Sequence, residues 1–204
     1  MFATAKQIHA GGKDLQDRAE IIFRGSNLVL VVADGAGGMS GGAEAAQFLV
    51  EGVKKQIGSM SINSDGLNEF LTSLDREMAA AGIYGETTGV VVVLSDKGIF
   101  GASVGDSGAF IFSEAGLENL TASQIRKPFL GSGRAIPVPF TRGLLKGTLL
   151  VATDGLLKYT SFEKIAAAIL ATDLDSAANK LIELVRFQSG ALPDDISILL
   201  ARQI

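Results

Sequence analysis

Residues 27–42 read NLVLVVADGAGGMSGG: an apolar run from Leu28 to Ala33 ends at once in Asp34-Gly35 and a glycine-rich loop. The run is short, rich in β-branched residues and bounded by turn formers, so it predicts a strand covered on both faces rather than a helix. A carboxylate delivered by such a strand is costly to bury unless something positive holds it. Taken alone, Asp34 could equally cap the helix that follows. The device recurs, however, in residues 149–155, LLVATDG, where a second apolar run ends in Asp154-Gly155. Capping gives no reason for that repetition.

Outward from this stretch, the chain reads as blocks of strands and helices. Residues 1–9 predict a short strand, broken by Gly11-Gly12. Residues 19–23 alternate weakly and lead through Arg24-Gly25-Ser26-Asn27 into the opening strand, so the two form a hairpin. Asp17 precedes its first strand and Asp34 follows its second, which puts both carboxylates at one open end. Beyond the glycine loop, Ala45, Phe48, Leu49, Gly52, Val53 and Ile57 keep helical spacing. A second helix from about Asp65 carries Leu67, Phe70, Leu71, Leu74 and Met78 on one face, with Ser64 as its N-cap. Apolar runs at 89–94, 99–104, 109–112 and 117–120, joined by tight turns, predict one antiparallel meander. Residues 121–147 hold three of the four prolines and no sustained period, and read as loop with one short strand at most. A strand over 148–153 carries the second Asp-Gly. Thr160-Ser161-Phe162-Glu163 then supplies a capping box for a helix to about Leu170, and a further helix runs from Asp173 or Asp175 to near Gly190. If the closing strand, 196–201, pairs antiparallel with 148–153, Asp194 meets Asp154. This order predicts one α+β domain over residues 1–204, a four-layer α-β-β-α sandwich with two central antiparallel sheets.

Composition narrows the chemistry. A net charge of −4 argues against nucleic acid as a partner. No apolar stretch reaches the length of a membrane span, and the first residues lack a basic segment followed by an apolar core. The expectation is therefore a cytoplasmic monomer that binds no membrane. Without cysteine, and with His9 as the sole histidine, thiol chemistry and the usual zinc ligand sets are excluded. His9 reads as a polar residue on an edge strand.

Asp17, Asp34, Asp106, Asp154 and Asp194 all fall at strand ends or turns. Carboxylates gathered without cations would repel one another by several kcal/mol in a partly buried site, a cost that divalent ions offset. Oxygen ligands alone favour Mg²⁺ or Mn²⁺ over Ca²⁺, for which no EF-hand loop exists. A pair of such ions can activate water and clamp a phosphoryl group for in-line attack. Rival chemistries lack their parts. There is no G-x-x-x-x-G-K-[ST] loop and no G-x-G-x-x-G in register, and His9, near the terminus, is a poor base for a serine triad.

The segments V-A-Asp34-G-A-G-G-M-S-G-G, Thr87-Thr88-G-V-V-V-V, V-Gly105-Asp106-Ser107-G, L-L-V-A-T-Asp154-G-L and Asp194-Asp195-I-S-I-L-L together resemble the type 2C, metal-dependent protein phosphatases, in order and spacing over nearly the whole chain. The resemblance implies a β-sandwich flanked by helices, with a binuclear Mn²⁺ or Mg²⁺ centre at one end. It also implies hydrolysis of phosphoserine and phosphothreonine on proteins by a water bridging the two metals. Carried over by position, Asp34 is the bridging ligand and the Gly35 carbonyl a ligand to one ion. Asp154 and Asp194 complete the other ion's shell, and Asp34, Asp154 and Asp194 form the catalytic set. Asp106 matches the acid associated with a third, weaker metal, and Asp17 acts in the outer sphere. Several positions depart from the family pattern. Gln16-Asp17 stands for Glu-Asp, and Lys13 is the sole candidate for the phosphate-binding arginine. Ala36 occupies the place of a histidine suspected as general acid, Asp195 that of an asparagine and Gly108 that of an arginine. The short segment between Leu120 and Thr148 implies a reduced flap. The favoured reading is a phosphatase acting on a phosphoprotein of a serine/threonine kinase circuit. Two alternatives stay open, a non-catalytic phosphoprotein-binding module and a hydrolase of small phosphoesters.

Overall fold

Every residue from Leu28 to Ala33 is buried, as a strand without a solvated face requires. The computed structural model describes residues 1–36, 41–171 and 173–204. Strands β1 (Phe2–His9), β2 (Arg18–Arg24) and β3 (Asn27–Ala33) precede helices α1 (Gly42–Gln56) and α2 (Ser64–Ala80). Then come β4 (Gly89–Ser95), β5 (Gly98–Val104), β6 (Gly108–Ser113), β7 (Gly116–Asn119), β8 (Val138–Arg142) and β9 (Thr148–Ala152). Helices α3 (Asp154–Leu157), α4 (Phe162–Leu170) and α5 (Leu174–Glu183) lead to β10 (Ile196–Gln203). No helix among the described residues is long and apolar enough to cross a membrane.

The strands form two antiparallel sheets, ordered β1-β10-β9-β6-β7 and β2-β3-β4-β5-β8. Alternation along each strand sorts its side chains between two cores. Leu28, Leu30 and Val32 pack with Val90, Val92, Leu149, Val151 and Leu199 between the sheets. Val29, Val31 and Ala33 turn the other way, toward Ala45, Leu49, Leu71 and Leu74 of α1 and α2. On the far side Leu150, Ala152, Ile198 and Leu200 meet Ile165, Ile169 and Leu181 of α4 and α5. The layers are therefore α-β-β-α, as the apolar runs predict, and the central strands are almost wholly buried because helices cover what the facing sheet does not.

The register carries the acidic residues to one end. Arg18 pairs with Ala33, so Asp17 and Asp34 follow side by side. Ile198 pairs with Ala152, which brings the start of β10 beside the residues that follow β9.

Four local expectations change. The meander is split: β4 and β5 pair in one sheet, while β6 and β7 lie in the other, where β6 also pairs with β9. The free edge of β5 is taken by β8, so β6 has to cross over, and the crossover is the turn that holds Asp106. The cap of α2 is Asn63, whose side chain accepts from the Gly66 N–H at 2.7 Å, and Ser64 is the first helical residue. Ser161 occupies the N-cap of α4 but makes no side-chain cap bond. Finally, α5 stops at Glu183 rather than near Gly190, because Val185 N–H bonds back only three residues and 187–190 close a separate turn.

One buried acid braces the site from outside it. Asp75 on α2 is 2% exposed, and its oxygens accept from the backbone N–H groups of Gly131 (2.7 Å), Gly133 (3.0 Å) and Ala135 (2.9 Å). That fixes the loop after Leu130, which exchanges two backbone hydrogen bonds with Thr87. Removing the acceptor leaves three donors short of a partner. Asp75→Ala is expected to lower unfolding free energy by about 3 kcal/mol, measured by chemical denaturation. A loss below about 0.5 kcal/mol, the scale of an ordinary surface change, would contradict the bracing role.

Candidate metal centre

Asp34 arrives at the end of β3, and its backbone is held on both sides. Its N–H donates to Thr88 Oγ1 at 3.0 Å, and its carbonyl accepts from Thr88 N–H and from Thr87 Oγ1, each at 2.9 Å. Thr88 Oγ1 lies 2.7 Å from Ser107 Oγ, tying β3 to the β5–β6 turn. Gly35 admits no side chain, since a Cβ there would stand 2.4 Å from the Gly42 carbonyl group. Of the glycine loop, Gly37 and Gly38 lie outside the described residues. Gly41 has φ 104° and precedes α1, a conformation that glycine adopts without strain.

The crossover turn presents Asp106, fastened by Gly105 N–H to the Ile125 carbonyl and by Gln124 Nε2 to the Ser107 carbonyl. Asp154 opens α3 directly after β9. Carboxylate oxygens of Asp34, Asp106 and Asp154 all lie within 4.8 Å of one another. Asp194 lines the same cleft, with Gly35, outside that trio. The cleft encloses about 460 Å³. Asp17 sits beneath, 1% exposed; its Oδ2 accepts from Thr153 Oγ1 at 2.8 Å, and Oδ1 finds no partner among the described residues. Asp195 is a fastener: Oδ1 takes the Gly11 N–H (2.8 Å) and Oδ2 the Gln16 N–H (2.6 Å), pinning the loop after β1 beside the cleft.

Electrostatics follow from this crowding. Burial, and then the charges of Asp17, Asp154 and Asp106, push the Asp34 carboxyl far above the usual carboxylate range. Burial raises Asp17 to about 7, against the bond from Thr153. Asp194 is also raised, by desolvation first. A donor set of hard carboxylate oxygens within 4.8 Å of one another, with a buried Asp17 oxygen left unpartnered beside it, suits a hard divalent cation.

Positive charge comes from three residues that sequence reasoning missed. Arg126 Nε donates to Asp106 Oδ2 at 2.9 Å, and Lys158 Nζ donates to Asp154 Oδ2 while lying 3.8 Å from Asp106 Oδ2. The bond to Asp154 raises the Lys158 ammonium above its ordinary value. Lys127 also lines the cleft. Lys13 is exposed and does not line it, although its neighbours Gly12 and Asp14 do. A signal for Lys158 existed, since a lysine four residues after Asp154 stands one helical turn on. Arg126 and Lys127 had none, because they fall in the stretch without periodicity.

The family model for protein phosphatase 2C matches residues 6–128. The serine/threonine phosphatase Stp1 from Staphylococcus aureus superposes with a TM-score of 0.87 at 19% identity, covering 100% of this chain and 96% of that one. The Mycobacterium tuberculosis phosphatase PstP/Ppp gives 0.82 at 19% identity, with 98% and 97% covered. A PstP catalytic domain in complex with 2 manganese ions gives 0.81 at 20% identity, again covering 98% and 97%. No curated protein matches the chain.

Without cations the raised acids have a measurable cost. Because the folded Asp17 holds its proton up to about 7 while the unfolded residue releases it near 4, the metal-free protein is favoured at low pH and loses stability as pH rises through that window. Melts in EDTA are expected to fall from pH 4.5 to 7.5, and to fall less steeply in Asp17→Asn. Parallel profiles for the two proteins would refute the assignment.

Proposed function

The chain belongs to the protein phosphatase 2C family, and on that premise we propose that it hydrolyses phosphoserine and phosphothreonine on proteins with the help of two divalent cations, Mn²⁺ or Mg²⁺. The observation that carries this reading is the mutual approach of the Asp34, Asp106 and Asp154 oxygens within 4.8 Å. Carboxylates at that spacing repel unless a proton or a cation relieves them, and divalent ions relieve all three at once.

In this reading Asp34 and the Gly35 carbonyl would hold one ion, Asp34 with Asp154 and Asp194 a second, and Asp106 a third, weaker one. Bound ions supply Lewis-acid charge to the phosphoryl oxygens and lower the pKa of water. The protein's own part is to position and to orient. Thr87 and Thr88 fix the height of Asp34 through its backbone. Asp17, buried beside Asp34 and Asp154, would act in the outer sphere through its unpartnered oxygen. Arg126 and Lys127, on the cleft wall, supply the positive charge that draws a phosphate in. They take precedence over Lys13, whose ammonium stands outside the lining. The open, polar mouth suits a phosphorylated side chain presented on a protein, and with it a place opposite a serine/threonine kinase.

Turnover of p-nitrophenyl phosphate and of a phosphothreonine peptide, each with Mn²⁺ and with EDTA, tests the reading. Activity is expected to depend on the metal and to drop roughly 100-fold or more in Asp154→Asn, the several kcal/mol that metal assistance contributes. An unchanged rate in the variant, or turnover in EDTA, would exclude the mechanism. Phosphopeptide binding without turnover would make the protein a binding module instead.

A further inference from the structure

Lys158 reaches two members of the acidic cluster, Asp154 and Asp106. It follows α3 directly, and its backbone N–H closes the turn on the Asp154 carbonyl at 2.8 Å. Its ammonium reaches back along that turn to Asp154 Oδ2 and comes within 3.8 Å of Asp106 Oδ2. Arg126 meets the same Asp106 oxygen at 2.9 Å. Two of the three clustered acids therefore already have a protein cation, whereas Asp34 has none among the described residues.

Asp154 is 8% exposed, so the oxygen that Lys158 occupies is not replaceable by one facing open water. The lysine side chain itself is 47% exposed, on a four-carbon stem that can swing into the cleft mouth. Geometry thus offers one carboxylate oxygen to two claimants, a resident ammonium and an incoming divalent ion.

We propose that Lys158 is a resident counter-ion of this centre: it neutralises Asp154 and Asp106 when the centre is empty, must be displaced for the divalent ions to load, and so sets how tightly they bind. The inference rests on the reading of the trio as a cation site. Loading is a competition, and its observed affinity is the intrinsic affinity reduced by the stability of the Lys158–Asp154 pair and by repulsion between the ammonium and the ion. For a half-exposed pair the reduction amounts to about 3- to 10-fold. The arrangement keeps the metal-free fold from holding three unpaired charges, and it makes loading responsive to cation concentration.

The sign of one measurement separates this role from others. Mn²⁺ is titrated calorimetrically into metal-free wild type, Lys158→Gln and Lys158→Arg, each checked for folding by circular dichroism. The inference predicts binding about 3- to 10-fold tighter in Lys158→Gln and close to wild type in Lys158→Arg, which keeps the charge. It also predicts a lower melting temperature for metal-free Lys158→Gln. If Lys158 merely held Asp154 in position, the glutamine variant would bind Mn²⁺ more weakly; if it only gripped substrate phosphate, affinity would not move. Either result overturns the inference while leaving the cation site standing. A wild type that takes up no Mn²⁺ at all overturns the site reading and the inference together.

Discussion

The like-charge repulsion among Asp34, Asp106 and Asp154 is the constraint around which the molecule is arranged. Their oxygens lie within 4.8 Å of one another, a spacing at which carboxylates left alone would separate or take up protons. They cannot separate, because each is fixed to a different part of a rigid frame, and the crowding instead pushes the Asp34 carboxyl far above the usual carboxylate range. Asp34 ends β3, Asp106 occupies the turn between the sheets, and Asp154 starts the helix after β9. The two sheets pack through a core of fully buried valines and leucines, so relieving the repulsion would mean moving whole layers. Packing energy spent in the sandwich thus holds an electrostatically unfavourable cluster in place, and the cluster acquires its use from the ions that relieve it.

The frame also explains why residues far from the acids matter to them. Asp75 gathers three N–H groups of the loop after Leu130. Leu130 pairs with Thr87, and Thr87 and Thr88 hold the Asp34 backbone. Thr88 in turn meets Ser107, the residue after Asp106. A continuous run of hydrogen bonds therefore leads from α2 to two members of the cluster. On the other flank Asp195 draws the loop after β1 against the cleft, and Thr153 does the same for Asp17.

Much of this was legible before the structure. Short β-branched apolar runs such as residues 28–33 point to strands with both faces covered, and the hairpin turn by itself puts Asp17 beside Asp34; the meeting of Asp194 with Asp154 followed only on the condition that the closing strand pairs with 148–153, which it does. What sequence could not reveal was non-local. The split of the meander depends on β8 claiming the edge of β5, and β8 reads poorly because Pro139 sits within it, tolerable only on an edge strand. The cations were hidden for a related reason. Arg126 and Lys127 acquire meaning only when their irregular segment folds over the crossover turn, and Lys158 only once Asp154 is seen to begin a helix. Lys13, by contrast, was singled out by position in the chain, and chain position did not put it on the cleft wall.

The central claim is that the acidic trio is a divalent-cation site whose emptiness costs the fold stability. Thermal melts of wild type and Asp34→Asn, each in EDTA and in Mn²⁺, test it most directly. The account predicts that Mn²⁺ raises the wild-type midpoint through preferential binding to the folded state. It also predicts that Asp34→Asn, relieved of one clustered charge, melts in EDTA no lower than wild type and gains little from the metal. A Mn²⁺ shift of equal size in both proteins, or none in wild type, would contradict it.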